Sequence, residues 1–163
     1  MKKWEVIPLE YRKATKEDAE EIYRLVQDTM TAIYPKYYPA EVVDFFCRFH
    51  SRKSIVTDID RGTVHVLIRN KRMIGTGSYE DNHITRVYVD PDFQGKGYGS
   101  YLMRMLEEEI ARRYDTVYLD ASLPASHLHE RRGYRTMKHE RLQVENGAVL
   151  VYEIMQKNLV PIA

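Results

Sequence analysis

Three glycines at alternate positions constrain the fold of this chain more than any other feature of its sequence. Gly95, Gly97 and Gly99 follow a strand-like apolar alternation and precede a segment of helical periodicity. Glycine permits positive φ angles and lets a ligand approach the backbone closely. A glycine loop at the start of a helix presents free N–H groups at the positive end of the helix dipole. The segment therefore predicts a strand–loop–helix unit that holds a phosphate or pyrophosphate, with Lys96 adding a cation.

Two common phosphate-binding motifs differ from this loop in their spacing. A Walker-type loop requires G-x-x-x-x-G-K-S/T, and no such string occurs in the sequence. A dinucleotide fingerprint requires G-x-G-x-x-G in a parallel βαβ unit, whereas the string here is G-x-G-x-G. Dinucleotide binding stays open as an alternative, because Asp120, at the end of the next predicted strand, stands where a ribose-binding acid would be expected.

Hydrophobic periodicity divides the remaining sequence into strands and helices. Thr15 and Asp18 have the spacing of a capping box, and the helix after them ends before Pro35. From Thr63 the period is two, which predicts an antiparallel meander of three strands. The predicted elements are strand 6–14, a helix from Ala19, a second helix from Pro39, strands 63–69, 72–79 and 83–90, a helix after the glycine loop, strand 116–120, a short helix between Pro124 and Gly133, and strands 134–144 and 148–155. This order predicts a mixed α/β (α+β) domain rather than a strictly alternating parallel fold.

Two of the predicted helices carry an apolar stripe that is expected to be buried. In the second helix the inward-facing residues are Val42, Val43, Phe46 and Phe49. In the helix after the glycine loop the buried residues are Leu102, Met105, Leu106 and Ile110, and the solvated face consists of Glu107, Glu108, Glu109, Arg112 and Arg113.

Composition excludes several classes of protein. The 163 residues include 25 Lys and Arg against 24 Asp and Glu, a formal net charge of +1, so a basic surface for nucleic acid is not expected. Cys47 is the single cysteine, which excludes an intrachain disulfide and a multi-cysteine zinc site and fits a reducing, cytoplasmic location. Apolar stretches are far shorter than the ~20 residues of a membrane helix, and the sequence does not begin with a signal-peptide pattern. We expect one domain over residues 1–163, with neither a membrane nor a nucleic acid as partner.

Two blocks of the sequence resemble the GNAT superfamily, the acetyl-CoA-dependent N-acetyltransferases. Residues 94–99, Gln-Gly-Lys-Gly-Tyr-Gly, match the superfamily's Q/R-x-x-G-x-G/A signature. Residues 122–134 resemble its N-x-x-A-x-x-F-Y-E-x-x-G-F block, and the order of predicted elements is also similar. The resemblance implies a GNAT-like fold, a central and mostly antiparallel mixed sheet flanked by helices. It also implies transfer of an acetyl group from acetyl-CoA to a primary amine by direct attack.

The resemblance also implies which residues bind acetyl-CoA. Backbone groups of Val87 and Val89 would pair with the pantetheine arm as an added strand does, although core packing also explains both valines. Ser122 stands where the family often has Asn, and an N-cap for the following helix is its alternative role. For Lys96 and Ser100 the alternative is a solvated turn. The expected cofactor-binding residues are Val87, Tyr88, Val89, Gln94, Gly95, Lys96, Gly97, Tyr98, Gly99, Ser100 and Ser122.

Acetyl transfer to an amine requires deprotonation of the amine, stabilisation of an oxyanion and protonation of the leaving thiolate. The resemblance implies that a backbone N–H near Val89 stabilises the oxyanion. His129 occupies the position where the family commonly has a Tyr that acts as the general acid, and an ordinary histidine pKa of ~6.5 would suit a proton donor. Packing beside the pantetheine is the alternative role for His129. Glu80 or His83, acting directly or through a water, is the expected general base. The alternative is that both residues belong to a polar hairpin with no catalytic role. No metal is expected.

The amine acceptor is expected to contact the connection between the first two helices. Tyr34, Tyr37 and Tyr38, next to two prolines, predict a stiff aromatic wall for a ring or an amine, or else a cap on the core. A cationic acceptor is favoured by the carboxylates of Glu41, Asp44, Glu80 and Asp81. The expected partner is a small-molecule or peptide amine, and the C-terminal strand pair suggests a homodimer. Two alternatives stay open, a non-catalytic acyl-CoA-binding or regulatory domain and a transferase for a longer acyl group.

Overall fold

The computed structural model describes residues 8–160, which contain seven strands and five α-helices. In chain order they are β1 (Leu9–Lys13), α1 (Ala19–Ile33), α2 (Ala40–Phe49), α3 (Arg52–Asp60), β2 (Val64–Arg69), β3 (Arg72–Glu80), β4 (His83–Val89), α4 (Tyr98–Ile110), β5 (Thr116–Ala121), α5 (Ser126–Arg131), β6 (Arg135–Gln143) and β7 (Val149–Asn158). The strands form one sheet in the order β1-β2-β3-β4-β5-β7-β6. Neighbouring strands are antiparallel except for the parallel pair β4 and β5. The predicted mixed α/β fold with a mostly antiparallel sheet is therefore confirmed.

Helices cover both faces of this sheet. The core between α1–α3 and the sheet contains Ile22, Val26 and Met30 of α1, which are fully buried against residues of β2, β3 and β4. On the other face, α4 packs with Leu106 and Ile110 against β4, β5 and β7. Both faces of the central strands are thus covered, so β2 is buried at successive residues and not only at alternate ones.

Helix α4 lies unusually close to β3 because two β3 residues are glycines. A Cβ atom at Gly75 would lie 2.9 Å from a methyl group of Leu102, and one at Gly77 would lie 2.9 Å from a methyl group of Leu106. Such distances are well inside van der Waals contact, so side chains at either position would push the helix away from the sheet. The start of α4 is thereby held against β3 and β4, where the glycine loop joins them.

The predicted turns and caps are confirmed where the structure describes them. The Thr15 N–H donates to the Asp18 carboxylate at 2.8 Å, as in a capping box. Gly133 has a φ of +95° after α5, and the β6–β7 hairpin turns through Asn146 and Gly147 at φ +56° and +75°. Residues 6 and 7 of the first predicted strand lie outside the described residues.

Three predictions about burial in the helices are wrong, and one helix was not predicted. A third helix, α3, follows Ser51, whose side chain accepts the Ser54 N–H at 3.1 Å as an N-cap. Phe49 was expected inside but is 62% exposed, because it occupies the last turn of α2 beyond the edge of the core. In α4 the fully buried methionine is Met103, while Met105 is only partly buried.

The largest of these errors concerns Glu107, which was expected in solvent and is 6% exposed. Its carboxylate accepts hydrogen bonds from the Tyr134 hydroxyl at 2.7 Å, from Arg132 at 2.8 Å and from Lys157 at 3.2 Å. A buried carboxylate is stable only when paired and hydrogen-bonded. Glu107 therefore joins α4 to β7 and to the residues that follow α5.

None of the helices within residues 8–160 is long and apolar enough to cross a membrane.

Candidate active site

A gap between β4 and β5 forms the centre of the site. The two strands are paired only where His83 faces Tyr118 and Ile84 faces Leu119. Beyond Ile84 the strands separate, which leaves the β5-facing edge of β4 without a strand partner as far as Val89. A cavity of about 570 Å³ lies along this edge, within the size range of small-molecule sites.

One side of the cavity is formed by the continuous segment 87–100, which we call the loop wall. Asp90 ends β4, and its carboxylate accepts the Asp92 N–H at 2.9 Å and an Arg72 N–H at 2.9 Å. The side-chain amide of Gln94 donates to the Val89 carbonyl at 3.0 Å. Gly97, at φ +90°, is the N-cap of α4, whose first-turn N–H groups have no partner within the helix.

The glycines of this loop leave open space beside the backbone. A Cβ atom at Gly95 or Gly97 would meet no other atom within 4 Å, although both residues have positive φ. Packing inside the protein therefore does not explain these two glycines. Positive φ accounts for both glycines, and the open space beside them leaves room for a ligand at the free N–H groups of α4.

Most of the predicted cofactor-binding residues come together here. The predicted residues that line the cavity are Val87, Tyr88, Val89, Gln94, Gly95, Gly97, Gly99, Ser100 and Ser122. Lys96 and Tyr98 do not line it and lie beside the Phe93 ring, the Lys96 ammonium at 5.4 Å from its centroid. The alternative role of Ser122 as an N-cap does not match the structure, because α5 begins only at Ser126.

The opposite side, which we call the helix–hairpin wall, is assembled from α1, α2 and the β6–β7 pair. Its residues are Thr29, Ile33, Tyr34, Phe45, Phe46, Phe49, His50, Leu142, Leu150 and Tyr152. This surface is mainly apolar and aromatic, and it faces the same gap between β4 and β5. No sequence motif marked it as a unit.

The tyrosines between α1 and α2 divide between the two roles expected for them. Tyr34 and Tyr38 are buried in the core, and Tyr37 is 52% exposed. The Tyr34 hydroxyl lies 3.4 Å from that of Tyr88, and the Tyr38 hydroxyl accepts the Leu123 N–H at 2.6 Å. Tyr34 alone of the three lines the cavity, so the segment acts mainly as a cap on the core.

A buried polar cluster that the sequence did not indicate lies behind this wall. Arg86 of β4 donates to His50 Nδ1 at 3.0 Å, to the Asp58 carboxylate at 2.6 Å and to the Ser54 hydroxyl at 3.0 Å. Because Nδ1 of His50 accepts a hydrogen bond from Arg86, the ring proton of the neutral imidazole is on Nε2. Burial and the Arg86 charge lower the pKa of His50 to about 3, so this ring is neutral at pH 7.

His129 lines the cavity from α5, with its ring 5.7 Å from that of Tyr134. Burial, followed by the positive charge of Arg132, lowers the pKa of His129 to about 4. Nδ1 of His129 is buried without a hydrogen-bond partner among residues 8–160. The imidazole is therefore neutral at physiological pH.

The two expected bases lie outside the set of cavity-lining residues. Glu80 is at the end of β3, where its carboxylate lies 3.7 Å from Arg61. His83 stacks on Tyr118, and its Nε2 lies 3.3 Å from the carboxylate of Asp120. Asp120 itself lines the cavity from β5. Sequence reasoning had considered Asp120 only for a dinucleotide site, so its place in this cavity was missed.

Comparison with known proteins gives the family. A family model described as "Acetyltransferase (GNAT) domain" matches residues 33–159. The chain belongs to the GNAT acetyltransferase family. This confirms the resemblance drawn from the glycine loop and from residues 122–134.

Solved structures and one curated relative resemble the chain across the same fold. A GCN5-related N-acetyltransferase from Rhodopseudomonas palustris superposes with a TM-score of 0.85 at 22% identity, over 94% of this chain and 98% of that one. YncA from Salmonella typhimurium, solved with its cofactor acetyl-CoA, has a TM-score of 0.72 at 22% identity over 96% of both chains. The PaiA N-acetyltransferase of Thermoplasma acidophilum, in complex with coenzyme A, has a TM-score of 0.73 at 17% identity, over 93% of this chain and 99% of that one.

The curated relative is the uncharacterized N-acetyltransferase YafP of Escherichia coli K12. It is 30% identical over 86 residues, which are 51% of this chain and 53% of that protein. The chain thus spans about half the length of the curated relative that it matches.

Proposed function

We propose that this GNAT protein is an N-acetyltransferase that transfers an acetyl group from acetyl-CoA to a primary amine by direct attack. The observation that carries the proposal is the cavity between β4 and β5, where a strand edge without a partner meets a glycine loop with free N–H groups. A strand edge suits an extended amide-containing arm, and a glycine loop at a helix N-terminus suits a pyrophosphate. Acetyl-CoA contains both groups.

The residues present fit acetyl-CoA. Gly95 and Gly97 keep open the space that a side chain would fill, and the N–H groups at the start of α4 lie beside it. Val87 and Val89 would hold the pantetheine arm through their backbone groups. Acetyl-CoA, when bound, supplies an acetyl group activated as a thioester. YncA with acetyl-CoA and PaiA with coenzyme A share this fold.

On the amine side, Asp120 is the group that this proposal places against the substrate. Its carboxylate lines the cavity and would hold an ammonium ion. His83, 3.3 Å from that carboxylate, orients it and takes part in removing the amine proton. Glu80 faces Arg61 instead and has no part in the proposal. The reaction forms an N–C bond and breaks the C–S bond of the thioester, which gives the N-acetyl amine, the CoA thiol and one proton released to solvent.

His129 is assigned a packing role in this proposal. A thiolate is protonated efficiently by an acid with a pKa near the operating pH. With a pKa of about 4, the ring is almost entirely neutral at pH 7 and is a weak acid in that form. His129 therefore shapes the cavity beside the thioester arm, which is one of the two roles that its sequence position allowed.

Calorimetric titration with acetyl-CoA, NAD and ATP tests the cofactor, and release of the CoA thiol with a panel of amines tests the reaction. We expect saturable binding of acetyl-CoA alone and amine-dependent thiol release. Binding of NAD without acetyl-CoA would overturn the proposal in favour of a dinucleotide site. Binding of acetyl-CoA without thiol release for any amine would favour a non-catalytic acyl-CoA-binding domain.

A second assay of thiol release separates acetyl transfer from transfer of a longer acyl group. Butyryl-CoA and octanoyl-CoA are compared with acetyl-CoA under the same conditions. We expect the acetyl thioester to give the highest kcat/KM, and faster transfer of octanoyl groups would contradict the proposal.

A further inference from the structure

The charge balance of the cavity restricts the amine that it can hold. Among the described residues that line the cavity, Asp120 and Arg86 are the two with full charges at neutral pH. The Arg86 guanidinium is already met by the Asp58 carboxylate at 2.6 Å. The two lining histidines have pKa values of about 3 and about 4, so they add no charge. The Asp120 carboxylate, which His83 Nε2 contacts at 3.3 Å, is the one negative group left in the described lining, and it matches one ammonium group.

The surface available to the rest of the acceptor is apolar and partly aromatic. Phe45 and Phe49 stack on one face of α2 with their centroids 5.9 Å apart. Phe49 is 62% exposed and Leu142, on the other side of the cavity, is 40% exposed. Large apolar side chains that border a cavity and remain in contact with water mark a binding surface. Aromatic rings favour other rings there, in edge-to-face or offset contact.

We infer that the acceptor is a small monoamine with an aromatic or branched apolar body, with its ammonium at Asp120 and its body against Phe45 and Phe49. This inference rests on the proposed function. Polyamines and aminoglycosides are disfavoured, because their additional ammonium and hydroxyl groups would lose water against phenylalanine rings without gaining partners. A small molecule is favoured over a peptide because the same cavity of about 570 Å³ must also admit the thioester arm.

The first experiment compares three amines at saturating acetyl-CoA, with kcat/KM measured from thiol release. The amines are 2-phenylethylamine, 1,4-diaminobutane and a short peptide with a free N-terminal alanine. We expect 2-phenylethylamine to have a kcat/KM at least about tenfold above the other two, which corresponds to about 1.4 kcal/mol. A higher value for the diamine or the peptide would overturn the inference and leave acetyl transfer itself intact.

The second experiment tests the aromatic surface with Phe49→Ala. Because Phe49 is mostly exposed, its replacement should not disturb folding. We expect the KM for 2-phenylethylamine to rise about tenfold with little change in kcat or in the dissociation constant of acetyl-CoA, and Phe49→Leu should restore part of the affinity. Met137→Ala is the matched control, since Met137 is 55% exposed on β6 and does not line the cavity.

The outcomes separate the two proposals. An unchanged KM in Phe49→Ala overturns the inference about the acceptor only. If the unmodified protein does not bind acetyl-CoA, both the proposed function and the inference about the acceptor are overturned.

Discussion

The loop wall of the cavity comes from one continuous segment, residues 87–100, whereas the helix–hairpin wall takes its residues from α1, α2 and the β6–β7 pair. The loop wall presents backbone N–H groups. Its conformation depends on glycines with positive φ and on the side chain of Asp90, which accepts the Asp92 N–H. The helix–hairpin wall presents side chains, most of them apolar. A wall of backbone groups suits a ligand that the whole family shares, and a wall of side chains suits a ligand that differs between members. Substitutions should therefore affect cofactor and acceptor separately.

The largest expected effect is on the loop wall. In Gly97→Val the new side chain enters the open space beside the free N–H groups of α4. We expect the dissociation constant of acetyl-CoA to rise about 100-fold or more, because charge-assisted hydrogen bonds to the pyrophosphate are lost. Calorimetric titration measures this change.

Valine at Gly97 also introduces backbone strain, so a matched control is needed. Gly147 has a similar positive φ of +75° and an equally open surrounding, but it lies in the β6–β7 hairpin. Gly147→Val should lower the free energy of unfolding by a similar amount and leave acetyl-CoA affinity unchanged. Gly99→Ala is a second control without strain, since its Cβ would lie 3.8 Å from Val89 and the signature allows alanine there, so acetyl-CoA affinity should be kept. Equal acetyl-CoA affinities in Gly97→Val and Gly147→Val would contradict the loop assignment.

The next effect concerns the amine. In Asp120→Asn the cavity loses the one carboxylate among its described lining residues, so kcat/KM for the amine should fall about 100-fold while acetyl-CoA affinity stays the same. His83→Gln should give a smaller loss, because Asp120 remains to hold the ammonium group. Asp28→Asn, an exposed substitution on α1 outside the cavity, is the control. If Asp120→Asn keeps the wild-type kcat/KM, Asp120 does not hold the amine.

The two walls also differ in how far the sequence predicts them. The loop wall could be predicted because its glycines, strand end and helix start are contiguous, and local spacing is what a sequence records. Asp120 was missed because its role depends on where β4 and β5 separate. His50 and Arg86 were missed because tertiary packing brings α2 and β4 together.

Two other errors have different causes. Glu107 was assigned to solvent because a helical pattern does not show that Tyr134, Arg132 and Lys157 meet its carboxylate. Helix α3 did leave a signal, namely an N-cap at Ser51, buried Ile55 and Ile59 four residues apart, and Gly62 at φ +78° after its end. That signal is short, and no element was assigned to residues 50–62.

The smallest effect on activity should come from His129→Phe, which tests the packing role of this residue in the cavity. Because the His129 ring is neutral at pH 7, a phenyl ring of similar shape should change kcat by no more than a few-fold. The variant should instead change how stability depends on pH. The pKa of His129 is lowered from ~6.5 in the unfolded chain to about 4 in the folded protein, so the unfolded chain takes up a proton first as the pH falls.

The contribution of the neutral His129 ring to the free energy of unfolding is therefore nearly complete above pH 6.5 and declines as the pH falls toward 4. From pH 7 to pH 5 this one histidine should cost about 2 kcal/mol of unfolding free energy. Urea unfolding at both pH values should show a decline smaller by that amount in His129→Phe, with the remaining decline due in part to His50, whose pKa is about 3. His127→Phe, on the exposed side of the same helix, should keep the wild-type decline. A large drop in kcat at pH 7 for His129→Phe, with unchanged acetyl-CoA affinity, would instead make this histidine the proton donor to the leaving thiolate.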